Sequence, residues 1–228
     1  MGKNDNGNNG RTELVFVVDR SGSMGGLESD TIGGFNSMLS KQRTIAGECR
    51  VTTLLFDHRI EPLHNHLDIR EVNDLTSRDY WVRGSTALLD AIGLAIDRMI
   101  VTQRHTAAAY RAQHVLFVII TDGYENASRR YSLHQIKQMI TYERERYHWE
   151  FVFLGANIDA EQTAGDFGIS PRCATDFHAD GQGIKASFEA VACAATAVRG
   201  GADLDDLSAP DFLGGVRDDY RSRRRMKR

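Results

Sequence analysis

The sequence predicts an α/β fold with a mostly parallel central sheet, one antiparallel edge strand and helices on both faces. Strand and helix patterns alternate from about residue 13 to residue 199, as they do when crossover helices join parallel strands. Two continuously apolar runs, residues 14–18 and 115–120, are typical of strands buried on both faces, so we place them side by side at the centre. A short return from residues 50–56 to residues 59–66 indicates the antiparallel edge strand.

Helical periodicity accounts for the segments between these strands. Residues 151–154 predict a further strand and residues 172–175 a last edge strand, with a short helix between them that Asp159 caps. Apolar residues three and four positions apart give each longer helix a buried stripe. These stripes are Ile32, Phe35 and Leu39; Leu88, Ile92, Ile96 and Met99; Leu133, Ile136 and Ile140; and Ile184, Phe188, Val191, Ala195 and Val198.

Length and composition indicate one globular domain. The chain has 228 residues, of which 41% are hydrophobic and 26% charged, which suffices for a single substantial core. We expect a flexible segment at residues 1–11, the domain at residues 12–201, and an acidic then basic tail at residues 202–228 that is loosely held. The net charge of -3 gives the whole molecule no reason to seek nucleic acid or anionic lipid.

Targeting and redox signals favour the cytoplasm. Residues 1–10 carry no apolar core of a secretory signal, and no later run approaches membrane-spanning length, so no membrane partner is expected. Cys49, Cys173 and Cys193 are odd in number and widely spaced, which argues against a disulfide framework or a thiolate metal site. We therefore expect reduced, mostly buried cysteines.

Oxygen-bearing side chains follow the two central strands and open the second long helix. Asp19, Ser21 and Ser23 follow the first apolar run, Asp122 follows the second, and Thr86 stands at the mouth of the helix. In open α/β sheets, ligands bind outside the carboxyl ends of the strands. Hard oxygen ligands select Mg²⁺, Mn²⁺ or Ca²⁺, and near-octahedral geometry favours Mg²⁺. The sequence therefore predicts a metal site formed by these five residues.

This set of residues resembles the metal-ion-dependent adhesion site of von Willebrand factor A domains. The likeness lies in the Asp19-x-Ser21-x-Ser23 loop, in Thr86 within Gly-Ser-Thr-Ala-Leu, and in Asp122 within Thr-Asp-Gly. The order of strands and helices is also similar over about residues 11–199. The resemblance implies a Rossmann-like sheet and a non-enzymatic module whose bound cation accepts an Asp or Glu carboxylate of a partner protein. It further implies an adaptor similar to intracellular prokaryotic single-domain members.

Two other functions and a purely structural interpretation compete with this hypothesis. Asp19, Ser21 and Ser23 taken alone could simply form a turn that caps the first helix. A Mg²⁺-dependent phosphohydrolase could use Asp19 as its nucleophile, although no lysine lies near the Thr86 or Asp122 loops. No phosphate-binding glycine motif follows the first strand, which argues against a nucleotide site.

A basic tail suggests a third function, in which the domain carries a nucleic-acid-binding end. Acidic residues just upstream would partly cancel its field, so nucleic acid is expected only through this tail, if at all. The basic residues are Arg221, Arg223, Arg224, Arg225, Lys227 and Arg228. His64 and His66 alternate along a strand and suggest a nuclease-like metal pair, but edge-strand histidines are usually exposed and no third ligand follows.

Overall fold

A six-stranded sheet forms the centre of the protein. The computed structural model describes residues 10–226. The strands are β1 (Thr12–Asp19), β2 (Cys49–Phe56), β3 (Ile60–Asp68), β4 (His114–Thr121), β5 (Glu150–Gly155) and β6 (Ala174–Asp176). Their order in the sheet is β3-β2-β1-β4-β5-β6, and every pair is parallel except β2 with β3. The predicted mostly parallel sheet with one antiparallel edge strand is confirmed.

Within the described residues, six α-helices flank the sheet. They are α1 (Glu28–Arg43), α2 (Leu88–His105), α3 (Leu133–Tyr147), α4 (Ala160–Asp166), α5 (Gly181–Arg199) and α6 (Gly214–Met226). Helix α1 packs against α5, and α2 packs against α3. Within residues 10–226, no helix combines the length and the apolar character needed to cross a membrane.

The buried faces follow the apolar periods, except that Ile32 is only partly buried and Leu133 is exposed. Strands β1 and β4 are buried along almost their whole length, as expected for the two central strands. In α3, Ile136 and Ile140 are buried, whereas Leu133, the first residue after the Ser132 cap, is 44% exposed. Of the cysteines, Cys49 and Cys173 are buried and Cys193 is exposed, and all are free.

The two histidines of β3 do not form a pair. His64 is buried, where its Nδ1 lies 3.0 Å from Thr53 Oγ1, which contradicts the exposed position expected for it. A shift in the β2–β3 register at Thr53 and a positive φ of 55° at His66 break the alternation between them. His66 instead contacts Glu13 at 2.7 Å, so the nuclease-like arrangement is absent from the described part of the chain.

The segment after residue 201 is packed against the domain, so the expectation of a loosely held tail is wrong for residues 202–226. Leu213 and Val216 are buried, and α6 contacts α5 and β6. Arg217 donates to the backbone carbonyls of Pro171, Arg172 and Ala174. The acidic and basic composition misled the prediction because the few apolar residues and Arg217 suffice to dock the helix. The expected flexible segment lies, for residues 1–9, outside the described residues.

Replacing Val216 tests whether α6 is docked. Val216→Ala removes two buried methyl groups and should lower the free energy of unfolding by about 1–2 kcal/mol. Val101→Ala, at an exposed position of α2, is the matched control and should change it by less than about 0.5 kcal/mol. Urea denaturation measures both, and equal effects of the two variants would contradict the docked helix.

Candidate metal centre

The pairing of β1 with β4 determines where the two carboxylates lie. In this parallel pair, Val18 stands opposite Ile120, so Asp19 ends β1 beside Thr121. Asp122 follows directly at the end of β4. Both carboxylates therefore emerge at the carboxyl edge of the sheet, and both residues are buried, Asp19 at 0% and Asp122 at 1% exposure.

Asp19 is held by three partners from different parts of the chain. Its Oδ1 accepts a hydrogen bond from the Ser21 backbone N–H at 2.7 Å, and its Oδ2 accepts one from Thr121 Oγ1 at 2.6 Å. The Tyr80 hydroxyl donates to its backbone carbonyl at 2.6 Å. Thr121 and Tyr80 were not assigned from sequence. Thr121 could have been found from its position beside Asp122, whereas nothing local marks Tyr80, which comes from a loop.

The serine hydroxyls connect the two central strands. Ser21 Oγ lies 3.1 Å from Ser23 Oγ, and Ser23 Oγ lies 2.5 Å from Asp122 Oδ1. A Cβ placed on Gly123 would lie 3.4 Å from Ser23 Oγ and 3.6 Å from Thr86 Oγ1, so these hydroxyls approach the same point. The structure thus brings Asp19, Ser21, Ser23, Thr86 and Asp122 together around one spot.

Two backbone contacts position Thr86. Its N–H donates to Asn126 Oδ1 at 2.9 Å, and the Asn126 N–H donates back to its carbonyl at 3.0 Å. The Gly22 N–H donates to the Gly84 carbonyl at 3.1 Å and ties the Thr86 loop to the serine loop. Gly84 has a φ of +67°, and a Cβ there would lie 2.1 Å from His58 Nδ1, so only glycine fits.

The electrostatics of the site favour a bound cation. Burial raises the pKa of Asp19, against hydrogen bonds from Thr121 and Ser21 that lower it. Burial raises the pKa of Asp122 to about 6; the hydrogen bond from Ser23 opposes this shift and the charge of Asp19 adds to it. Asp122 Oδ2 is buried and accepts no hydrogen bond from the described residues. Such an oxygen is costly without a partner, and a cation would provide one.

The donors suit a hard divalent cation. Among residues 10–226, no three His, Cys, Asp or Glu side chains gather into a group that could hold a metal. The site offers two carboxylates and three hydroxyls instead, which are ligands of Mg²⁺, Mn²⁺ and Ca²⁺ rather than of a thiophilic ion. The residues present therefore fit such a cation.

Arg20 follows Asp19 directly but does not neutralise the site. Its side chain is buried, with Nε 3.1 Å from Asp57 Oδ2 and a terminal nitrogen 2.8 Å from Glu61. Arg83 contacts the same two carboxylates. Burial raises the pKa of Asp57, but the hydrogen bond from Arg83 and the charge of Arg20 hold it below its ordinary value. We call Arg20, Asp57, Glu61 and Arg83 the arginine–carboxylate cluster. It holds the loop after β1 and the loop before Thr86 in place without contributing metal ligands.

Exposed aromatic side chains stand on the loops that carry the site. Trp81 is 42% exposed and precedes Gly84 and Thr86, and the Arg83 guanidinium lies 4.3 Å from its ring centroid. Tyr124 is 62% exposed and follows Asp122. Met24, which flanks the serine loop, is fully buried and belongs to the core. Trp81 and Tyr124 are thus exposed side chains on two of the loops that carry the site.

Comparison with known proteins identifies the architecture. No protein-family model matches the chain, and no curated protein sequence matches it. Proximal thread matrix protein 1 from the mussel byssus is similar in structure, with a TM-score of 0.55 and 14% identity over 82% of this chain and 46% of that chain. The same protein with a zinc-occupied MIDAS motif has a TM-score of 0.57, at 16% identity and the same coverage.

A second solved structure agrees. Manganese-loaded Plasmodium vivax TRAP protein matches with a TM-score of 0.51 and 16% identity, over 78% of this chain and 72% of that chain. The fold is that of a von Willebrand factor A domain. This chain spans about half the length of the mussel protein, and at such identities the likeness concerns the fold alone.

The raised pKa of Asp122 predicts how pH affects the metal-free protein. Because the folded state raises this pKa from 3.8 to about 6, protonated Asp122 stabilises the fold below about pH 4, and this contribution is lost as the pH rises through about 6. In chelator near pH 7, Asp122→Asn should therefore raise the free energy of unfolding by roughly 1–3 kcal/mol. The difference should vanish below about pH 4.

Urea denaturation across this pH range measures the effect. Asp166→Asn, at an exposed position of α4, is the control and should change stability little at any pH. An Asp122→Asn variant that is less stable than the wild type near pH 7 without divalent ions would show that the carboxylate is well satisfied as it stands and needs no cation.

Proposed function

We propose that this chain is a non-enzymatic protein-binding module that holds one divalent cation and uses it to bind a carboxylate of a partner protein. The observation that carries the proposal is the buried Asp122 carboxylate, whose Oδ2 accepts no hydrogen bond from the described residues. The Ser23 hydroxyl contacts its Oδ1, the Ser21 hydroxyl contacts Ser23, and the Thr86 hydroxyl lies near Gly123. A buried anion with neutral oxygen donors around it is a site for a hard cation.

Each residue has a proposed part in holding the cation. Ser21 and Ser23 would bind it directly, Thr86 directly or through water, and Asp19 and Asp122 directly or through bridging water. When bound, the cation supplies positive charge at a position open to an external Asp or Glu carboxylate. Mg²⁺ is the expected ion, with Mn²⁺ or Ca²⁺ as alternatives. Trp81 and Tyr124 would contact the partner around this point, since exposed Trp and Tyr are frequent anchors of interfaces.

The solved structures support the metal. One similar structure has a zinc-occupied MIDAS motif and another is manganese-loaded. These ions are described for those proteins, and their shared fold makes a divalent cation reasonable at the corresponding edge of this sheet. We further propose a cytoplasmic adaptor role, which the three free cysteines favour.

The geometry of Asp19 argues against the phosphohydrolase alternative. A nucleophilic carboxylate must reach a phosphorus atom, but Asp19 is fully buried and each of its oxygens accepts a hydrogen bond. Its contacts hold it as an organiser of the loop. An absence of phosphatase activity towards p-nitrophenyl phosphate in Mg²⁺ is the expected result, and turnover that Asp19→Asn abolishes would revive the enzyme hypothesis.

Removing the serine hydroxyls should remove the metal. Isothermal titration of the wild type with Mn²⁺ should show one binding site, and Ser21→Ala together with Ser23→Ala should weaken it by at least about tenfold, or about 1.4 kcal/mol. Ser29→Ala together with Ser37→Ala makes the same chemical change at exposed positions of α1 and should leave binding unchanged. The site assignment would be refuted by equal affinities of the two double variants.

Carboxylate recognition has a separate test. The test uses an array of peptides that each contain one Asp, and each peptide is paired with a copy in which Asn replaces the Asp. In Mg²⁺, some of the Asp peptides should retain the protein, and none of the Asn peptides should. Chelator, and the Ser21→Ala and Ser23→Ala double variant, should abolish that retention. Retention of Asp and Asn peptides alike would contradict the carboxylate mechanism even if the metal is present.

A further inference from the structure

Four arginines of α6, Arg217, Arg221, Arg223 and Arg224, fall into two groups. Arg217 contacts Asp211 at 2.7 Å as well as three backbone carbonyls, and Arg223 contacts Asp180 and Asp219, each at 2.5 Å. Arg221 and Arg224 are exposed and form no ion pair with any residue of the described range. One group thus anchors the helix, and the other leaves two positive charges available to a ligand.

The contacts of α6 show where these charges lie. Near its beginning, Arg217 donates to carbonyls at and just before the start of β6. Further along, the Tyr220 carbonyl lies 3.1 Å from Nε2 of His178, which follows β6, and Arg223 reaches Asp180, the N-cap residue of α5. Helix α6 therefore runs alongside β6, and its second half ends at the carboxyl edge of the sheet. The metal centre lies at the same edge.

One loop connects the two places. After β5, Asn157 Nδ2 approaches the backbone carbonyl of Asp122 at 3.5 Å. The next two residues, Ile158 and Asp159, line a cavity of about 460 Å³ together with Arg221 and Arg224. The available guanidinium groups are therefore separated from the metal centre by a single loop.

Three acidic residues line this cavity: Asp159 and Asp176 accept hydrogen bonds from the backbone, and Glu161 is exposed. Asp159 accepts a hydrogen bond from the Gln162 N–H at 2.9 Å and so caps α4. Asp176 accepts one from the Ala160 N–H at 3.1 Å. Neither forms an ion pair with Arg221 or Arg224. Because these carboxylates are not paired with Arg221 or Arg224, the two guanidinium groups remain available to an external anion. The carboxylates also place negative charge within the otherwise positive surface.

We propose that Arg221 and Arg224 form a second contact for an acidic partner segment, one of whose carboxylates lies on the cation. This inference rests on the proposed function and narrows the partner to a protein segment with several Asp or Glu residues. Guanidinium groups bind carboxylates through paired hydrogen bonds, and an interrupted positive surface suits spaced carboxylates. A continuous phosphate backbone would lie against Asp159 and Glu161, which disfavours nucleic acid.

Two fluorescein-labelled decapeptides serve as probes, one alternating Asp with Ser and one with a single central Asp among Ser and Gly. Fluorescence anisotropy in Mg²⁺ should give at least about tenfold tighter binding of the multi-Asp probe. Arg221→Gln together with Arg224→Gln should weaken that probe at least about fivefold and leave the single-Asp probe unchanged. Arg104→Gln together with Arg146→Gln removes the same charge from exposed positions near the ends of α2 and α3 and should change neither probe.

The outcomes separate this inference from the proposed function. Equal affinities of the two double variants for the multi-Asp probe would overturn the second contact and leave metal-dependent binding intact. Binding of that probe that needs Arg221 and Arg224 but resists chelator would refute the metal function and keep the acidic-ligand surface. Tighter binding of a labelled oligothymidylate, lost in the Arg221→Gln and Arg224→Gln variant, would overturn the inference in favour of nucleic acid.

Discussion

The parallel pairing of β1 with β4 brings two carboxylates, Asp19 and Asp122, to one buried edge of the sheet. Burial raises the pKa of both, and Asp122 keeps one oxygen without a hydrogen bond from the described residues. A buried carboxylate oxygen without a hydrogen bond is costly, and a cation would stabilise it. Because the strand register sets the positions of both carboxylates, a change that shifted β1 relative to β4 would separate the residues of the site.

The loops around these carboxylates are held before any ligand arrives. The arginine–carboxylate cluster joins the end of β1 to the β2–β3 turn and to the loop before Thr86. Asn126 fixes Thr86 through two hydrogen bonds, and Gly84 accepts one from Gly22. Because the ligand groups are already positioned, little ordering would be required on binding, which favours affinity. Arg20 and Arg83 stabilise this framework by pairing with Asp57 and Glu61, so they do not neutralise the carboxylates of the metal centre.

Sequence patterns predicted the parts of this structure that depend on local information. Continuous apolar runs indicated the neighbouring central strands, and the spacing of Asp19, Ser21 and Ser23 after a strand end indicated the site. Contacts between distant segments were not predictable: Tyr80 reaches Asp19 across 61 residues, and Arg20 pairs with Asp57 across 37. The C-terminal segment was misjudged because its composition is polar, whereas its order comes from Leu213, Val216 and the contacts of Arg217 with β6 and the residues before it.

A single cation between the ends of β1 and β4 is what we propose for this site. Anomalous diffraction at the manganese edge, from crystals grown with Mn²⁺, tests it most directly. We predict one strong peak at about 2.1–2.3 Å from the Ser21 and Ser23 hydroxyl oxygens, with Asp122 and Thr86 in or next to its coordination shell. A crystal saturated with Mn²⁺ that shows no peak there, or a peak held by other residues, would contradict the claim.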